Sequence, residues 1–374
     1  MFNRTRQHFK QLKRSLAGSS VHTNQQDLTQ AETKIVEQIR ITTEAKNLNN
    51  ITRTQAYFDF YKDHPEIHWA LLAHLVSRNA GWNMTDLKGE YLPKLLTNQE
   101  QVDFFSFLER GNWLIFQDAY PQLLLYAESK KQNSPLFHLL SPLKISKFMK
   151  PFWENMWTEQ QNKELTTALI INEQHYIEDR VIQNPVYKHS VLNTSLFKLQ
   201  EFLSFNHILF PYRTTVQKKM KLVGGTVHHF SSVEDRINFG KSLYDLLFSV
   251  QTRLKQTIDW ALHQPHSGSR KDYWPDLFND IKESAPDQVH ELQSSPCSLQ
   301  TSKQRIYSPS LRSSWNDWKH SVAEPGDWCH NHKMLHFIKK PAVPLDDTIE
   351  KNYCATIEEL EMAAFAKNKW FHKK

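Results

Sequence analysis

The run His266-Ser-Gly-Ser-Arg-Lys-Asp-Tyr-Trp-Pro275 gathers hydroxyl side chains around a glycine and follows them with two cations. A turn of that composition presents backbone N–H groups, so Ser267, Ser269, Arg270 and Lys271 are candidates for holding a phosphate or another oxyanion. Read as structure, the same run is a tight interhelical turn anchored by Tyr273 and Trp274. A second cluster between Ser77 and Asp86 sets Arg78 and Asn79 beside Asp86 at a helix end. Arg78 and Asn79 could grip an anion there, or serve an internal ion pair and a cap.

Acids and arginines also interrupt apolar helices. Glu109, Arg110 and Asp118 form one such set, and Asn172, Glu173, Gln174, Glu178 and Arg180 form another. Buried acid–arginine pairs shared between helices account for both. A carboxylate in such a place can also have a displaced pKa and act as a general base, which makes Glu173 and Glu178 catalytic candidates. Gly224-Gly-Thr-Val-His-His229 adds His229 to them; adjacent histidines in a strand face opposite ways, so at most one of His228 and His229 would enter a given pocket.

The familiar catalytic signatures fail on spacing. Gly240-Lys-Ser242 resembles the end of a phosphate-binding loop, but Asp235 stands where its first glycine belongs. His64-Pro-Glu-Ile-His68 has the glutamate misplaced for a zinc protease, and there is no G-x-S-x-G elbow. Cys329, His330, His332 and His336 lack a second cysteine pair, so neither a metal nor a cofactor is expected.

The elements that must position these residues are helices. Only nine glycines occur in 374 residues, a poor supply for nucleotide-binding loops and hairpin-rich sheets. The expectation is a mainly α, multi-helix globular body with at most one short β-hairpin, around 221–230, and an irregular Pro/Ser-rich C-terminal wrap. Thr29 with Glu32, Thr97 with Glu100 and Ser231 with Glu234 read as capping boxes. Pro65, Pro121 and Pro142 read as first-turn prolines, and Gly81 and Gly111 as C-terminal caps. Apolar periodicity predicts one long helix over 232–263, ended by Pro265. The divisions are a basic arm at 1–28, a helical body at 29–284, and an irregular segment plus C-terminal helix at 285–374.

The net charge of +6 is concentrated at the ends: the first 26 residues carry +5 and the last eight +4, leaving the body at −3. A nucleic-acid stripe on the folded surface is therefore not expected. Residues 1–20 place Phe9, Leu12 and Leu16 on one helical face, which could touch an anionic membrane surface. No transmembrane segment or signal peptide is read, and three cysteines without a C-x-x-C pair point to a reducing compartment, the cytoplasm. Eleven tryptophans make the chain Trp-rich and argue for a packed core.

Four segments, Asn50-Ile-Thr-Arg-Thr54, Leu75-Val-Ser-Arg-Asn-Ala-Gly-Trp-Asn-Met-Thr-Asp-Leu87, Glu109-Arg-Gly-Asn-Trp-Leu-Ile-Phe-Gln-Asp-Ala-Tyr-Pro121 and the 266–275 run, together resemble the YppC-like family of bacilli, a catalogued domain of unknown function. The resemblance covers roughly residues 30–330. It implies a bacterial, cytoplasmic protein and carries over no activity, cofactor or site residue. The residues alone favour an interaction or scaffold role with a protein partner. The alternative is an enzyme or binding protein for a phosphorylated or other anionic small molecule, with Arg78, His228 or His229, and Arg270 converging on one cleft near Glu173 or Glu178.

Overall fold

Thr29 and Thr97 each open a helix by the reciprocal arrangement expected of them. The threonine hydroxyl accepts from the backbone N–H of Glu32 or Glu100, and that glutamate accepts from the threonine N–H. The computed structural model describes residues 12–14, 16, 28–194, 197, 207–213, 220–282, 305–345 and 349–371. Its principal helices are α1 (Gln30–Lys46), α2 (Asn50–Asp63), α3 (His68–Asp86), α4 (Asn98–Gln132), α5 (Lys150–Glu159) and α6 (Asn162–Ile177). After strands β1 (His207–Arg213) and β2 (Met220–Thr226) come α7 (Val233–Phe248) and α8 (Gln251–His263), and α9 (Ile349–Phe371) follows later. The protein is mainly α; β1 and β2 pair antiparallel, and a two-residue parallel pair joins Phe278–Asn279 to Ile306–Tyr307.

Several local expectations are corrected. The predicted 232–263 helix breaks at Val250, whose extended backbone (φ −118°, ψ 102°) lets α8 turn onto β1. The cap of α7 is Ser232, which accepts from Asp235, one residue later than expected. Gly224 and Gly225 stand inside β2 rather than at its turn. A Cβ on Gly224 would collide with the Ile208 carbonyl, so the glycine lets the two strands lie close. His228 and His229 consequently lie past the strand, exposed in the following turn. Pro121 is buried in the middle of α4, where packing along both flanks outweighs the missing N–H. Pro65 and Pro142 lie in turns, and the Pro142 carbonyl accepts from Arg40 at 2.7 Å.

Gly81 and Gly111 are not caps either. Both lie within helices, α3 and α4. At Gly81 a Cβ would strike the Asn50 amide and the His266 ring, so this glycine admits a close contact between α2, α3 and the 266–275 turn. At Gly111 a Cβ would meet nothing within 4 Å among the described residues.

The core fills the space between these elements with large rings: Trp69, Trp82, Trp153, Phe116, Phe148 and Phe152 are each fully buried. Of the basic arm, Leu12 and Leu16 are among the described residues, and both are buried in the main core, so these two are not available to a membrane surface. Phe9 and the rest of that face lie outside the described residues.

The described part of the C-terminal wrap, 305–345, is largely irregular, as expected. Irregular backbone must have its carbonyls satisfied elsewhere, and buried cations of the body do this. Arg110 donates to the Ser321 carbonyl at 2.7 Å, Arg180 to those of Glu324 and Gly326 at 3.0 and 2.9 Å, and Lys241 to that of Phe337 at 2.6 Å. Trp315 stacks on Phe105 with ring centroids 4.1 Å apart.

Asn79 performs a comparable task between helix and sheet. Its side chain accepts from the Leu209 N–H at 2.9 Å and donates to the Leu209 carbonyl at 3.0 Å, with no exposure to solvent. Asn79→Ala would strand both groups and is expected to lower stability by about 2 kcal/mol. Urea denaturation checks this; a change below about 0.5 kcal/mol would show that the clamp does not hold β1.

Candidate functional site

Three helices turn incompletely filled stripes toward one another. Ala73, Val76, Ala80 and Asn83 of α3 face Leu108, Gly111, Asn112 and Ile115 of α4 and Ile170, Glu173, Gln174 and Ile177 of α6. Each stripe follows helical spacing, so each presents one continuous face. Between them lie two adjoining cavities of about 250 and 180 Å³, which share Val76, Asn112, Ile115, Gln174, Ile208, Val227 and Phe230 as common wall. The π-helical turn Glu178–Ile182 after α6 widens the backbone enough to lay Val181 and Ile182 against the larger cavity. The lining is predominantly apolar in both.

The polar groups of the smaller cavity are few. Glu173 lies deep in the protein yet keeps accessible surface, because that surface faces the cavity. Burial pushes its carboxyl up to about 8, against the opposing help of the Gln174 amide and the Trp69 indole. Tyr57 lines the same space, and its hydroxyl makes no hydrogen bond among the described residues. Arg53 completes the set. Its Nη2 meets Glu109 Oε2 at 2.5 Å and its Nη1 donates to Asn47 at 3.2 Å, while Nε is buried without a partner among the described residues.

Asp118 sits behind this wall, buried, and accepts from Gln122 at 3.0 Å and from Asn172; its Oδ1 has no partner among the described residues. Burial raises its carboxyl to about 7, with the Asn172 bond opposing. Glu109 moves the other way. Burial alone would raise it, but Arg53, with help from His320, holds it below the ordinary carboxylate range.

The candidates named from sequence divide between the cavity and the frame. Glu173 lines the smaller cavity and Arg270 the larger. Arg270 grips Asp86 through Nε at 2.8 Å and Nη2 at 2.5 Å, donates to the Tyr353 hydroxyl, and lies 3.7 Å over the Trp82 ring. Ser267 donates to Asp272 through both its N–H and its hydroxyl, at 2.7 and 2.8 Å, while Ser269 donates to the Ser308 carbonyl at 2.5 Å. Lys271 pairs with Asp280 at 2.7 Å at the surface. Arg78 donates to the carbonyls of Gln264 and Pro265 at 2.8 and 2.9 Å, closing the end of α8, and lies 4.3 Å from the Trp260 ring. Glu178 is bound by Arg236, which also donates to the side-chain amide oxygen of Gln174 at 2.8 Å and so stiffens the cavity wall. His229 stays exposed, with its backbone carbonyl accepting from Ser232. Arg78, Glu178 and His229 therefore do not join Glu173 in one cleft.

The family described as "Protein of unknown function (DUF2515)" matches residues 45–361. The chain belongs to this family. The matched span includes every residue that lines the two cavities. The chain is also 38% identical over 346 residues to "Uncharacterized protein YppC" of Bacillus subtilis (strain 168), covering 92% of this chain and 98% of that relative. No solved structure matches the chain.

The cavity wall itself was not read from sequence. Tyr57, Trp69, Val76, Ile115 and Phe230 look like ordinary core, since periodicity identifies an apolar face without saying whether the facing helix fills it. The one local signal was Gly111, a glycine inside a helix that no tight contact demands.

Proposed function

We propose that this protein binds an apolar small molecule in the paired cavities between α3, α4 and α6. The observation that carries the reading is Gly111. Glycine inside a helix is destabilising by about 1 kcal/mol relative to alanine, and here no neighbour among the described residues would obstruct a side chain. Its effect is to hold space open in the wall of the larger cavity. The volumes point the same way: each cavity exceeds the roughly 150 Å³ that accommodates benzene in an engineered core. Apolar walls with a few placed polar groups and a displaced carboxyl are the usual features of a ligand site.

This reading accounts for Gly111 and Glu173, which a scaffold role leaves without a purpose. An anionic ligand is less well served, because Arg78, Ser267, Ser269, Arg270 and Lys271 already hold carbonyls or carboxylates of the chain itself. We place the protein in the cytoplasm on the ground of its cysteine usage.

Gly111→Leu tests the reading. It is expected to raise stability by about 1 kcal/mol, through helix propensity and cavity filling, and to abolish uptake of the neutral dye phenylnaphthylamine. Thermal melts and dye titration of wild type and variant check both effects. A variant that binds dye as wild type does would show that the cavity is not the site.

A further inference from the structure

The polar groups around the cavities are unequal in what they have left to offer. In the larger cavity Arg270 and Asp86 satisfy each other, and Asn112 donates to the Leu108 carbonyl at 2.8 Å. Gln174 is used on both sides, donating to Glu173 at 3.2 Å and accepting from Arg236. In the smaller cavity, among the described residues, the Tyr57 hydroxyl makes no hydrogen bond and the buried Nε of Arg53, just behind it, has no partner, while the Glu173 carboxyl between them takes the Gln174 amide and the Trp69 indole.

These groups have a common sense. A tyrosine hydroxyl and an arginine Nε–H are donors, and a carboxyl kept neutral by burial donates as well. Donors call for an acceptor oxygen. Charge matching narrows the ligand further. Arg53 is already neutralised by Glu109, and Arg236 by Glu178, so neither has a charge to spare for an incoming carboxylate. An incoming ammonium would have to enter beside two guanidinium groups. Placing either ion in an apolar enclosure without a counter-charge is strongly unfavourable.

We infer that the ligand is an uncharged, elongated hydrocarbon carrying one carbonyl oxygen, which seats between Glu173 and Tyr57 while its apolar part runs into the larger cavity beside Gly111. This rests on the cavity reading above and adds the chemistry of the ligand's polar end. The enclosed space suits a molecule on the order of ten to twenty heavy atoms, scaling from the cavity that holds benzene.

A matched series separates the two claims. Nonanone, nonane, nonanoate and nonylamine are titrated against the purified full chain, with displacement of phenylnaphthylamine as the readout. Nonanone is expected to compete at least tenfold better than nonane and better than either ion. Glu173→Leu and Tyr57→Phe should each weaken nonanone about tenfold and leave nonane unchanged, which also shows that the variants are folded. Glu173→Gln, which keeps a donor, should retain most of the affinity. Equal competition by nonanone and nonane would overturn the polar-end inference and leave the apolar cavity standing. Preference for nonanoate or nonylamine would overturn it in favour of a charged ligand. Failure of every probe, the dye included, would remove the cavity reading itself.

Discussion

Arg53→Ala is expected to destabilise the protein by about 3–5 kcal/mol, among the largest losses a single substitution on this chain can produce. Arg53 and Glu109 are 1% and 2% exposed, and their contact at 2.5 Å joins α2 to α4. Removing one member leaves the other charged in a medium that cannot solvate it, and that penalty, rather than the attraction lost, sets the magnitude. Among the described residues, Glu109 also meets His320, whose Nε2 lies 3.5 Å from Oε1 and whose ring stacks on Trp113. The loss therefore spreads to the C-terminal wrap as well. Arg53→Met combined with Glu109→Leu is expected to recover most of the stability, since a packed apolar pair needs no desolvation of charge.

The pH dependence of this variant follows from Glu109. Its carboxyl is held below the ordinary range, so it contributes stability above about pH 4.5 that is lost as pH falls through the folded value. Without Arg53, burial would push the same carboxyl up, and the difference between wild type and variant should shrink toward pH 4. Urea denaturation at pH 7 and pH 4 reads both effects. A loss below about 1 kcal/mol at pH 7 would mean that water reaches the pair.

This pair also marks how far the sequence could be read. Acids and arginines inside apolar helices predict ion pairs between helices, and the structure supplies them as Glu109 with Arg53 and Glu178 with Arg236. Capping boxes at Thr29 and Thr97 were legible because a cap is settled within four residues. The break at Val250 was not, because the apolar period runs on through it and the deciding contact, of α8 with β1, is distant in sequence. Gly81 and Gly111 had the same local appearance, beside polar residues in a helical context. One turned out to admit neighbouring side chains and the other to leave a space, a difference that only the packed neighbours define. Glu173 was picked out by its type and setting, whereas Tyr57, its partner in the cavity, carried no signal that separates it from core.

The second large effect is a stability that falls as the solution becomes more alkaline, in the range where many proteins are most stable. Asp118 and Glu173 are both pushed up by burial, to about 7 and about 8, and the charge of Asp118 adds to the rise at Glu173. In the unfolded chain both would ionise near pH 4. Below that pH folded and unfolded states hold the same protons, and the groups contribute no penalty. Between pH 4 and the folded value the native state binds more protons, so the slope of unfolding free energy against pH is negative. At 1.36 kcal/mol per unit, raising pH from 5 to 8 is expected to remove about 2–4 kcal/mol for each group. Asp118→Asn should cancel its share. An amide in that place still accepts from Asn172 and Gln122 and presents N–H where Oδ1 has no partner, so it should match wild type at pH 5 and exceed it by about 2 kcal/mol at pH 8. Glu173→Gln should flatten the remaining fall above pH 6, since Gln174 can donate to the new amide oxygen as it does to the carboxyl. Denaturation midpoints of the three proteins across pH 5–8 decide the matter. Wild-type stability that is level or rising over that interval would show that water or a counter-charge reaches these carboxyls. In that case the cavity would not be the dry, apolar enclosure that makes Glu173 a donor.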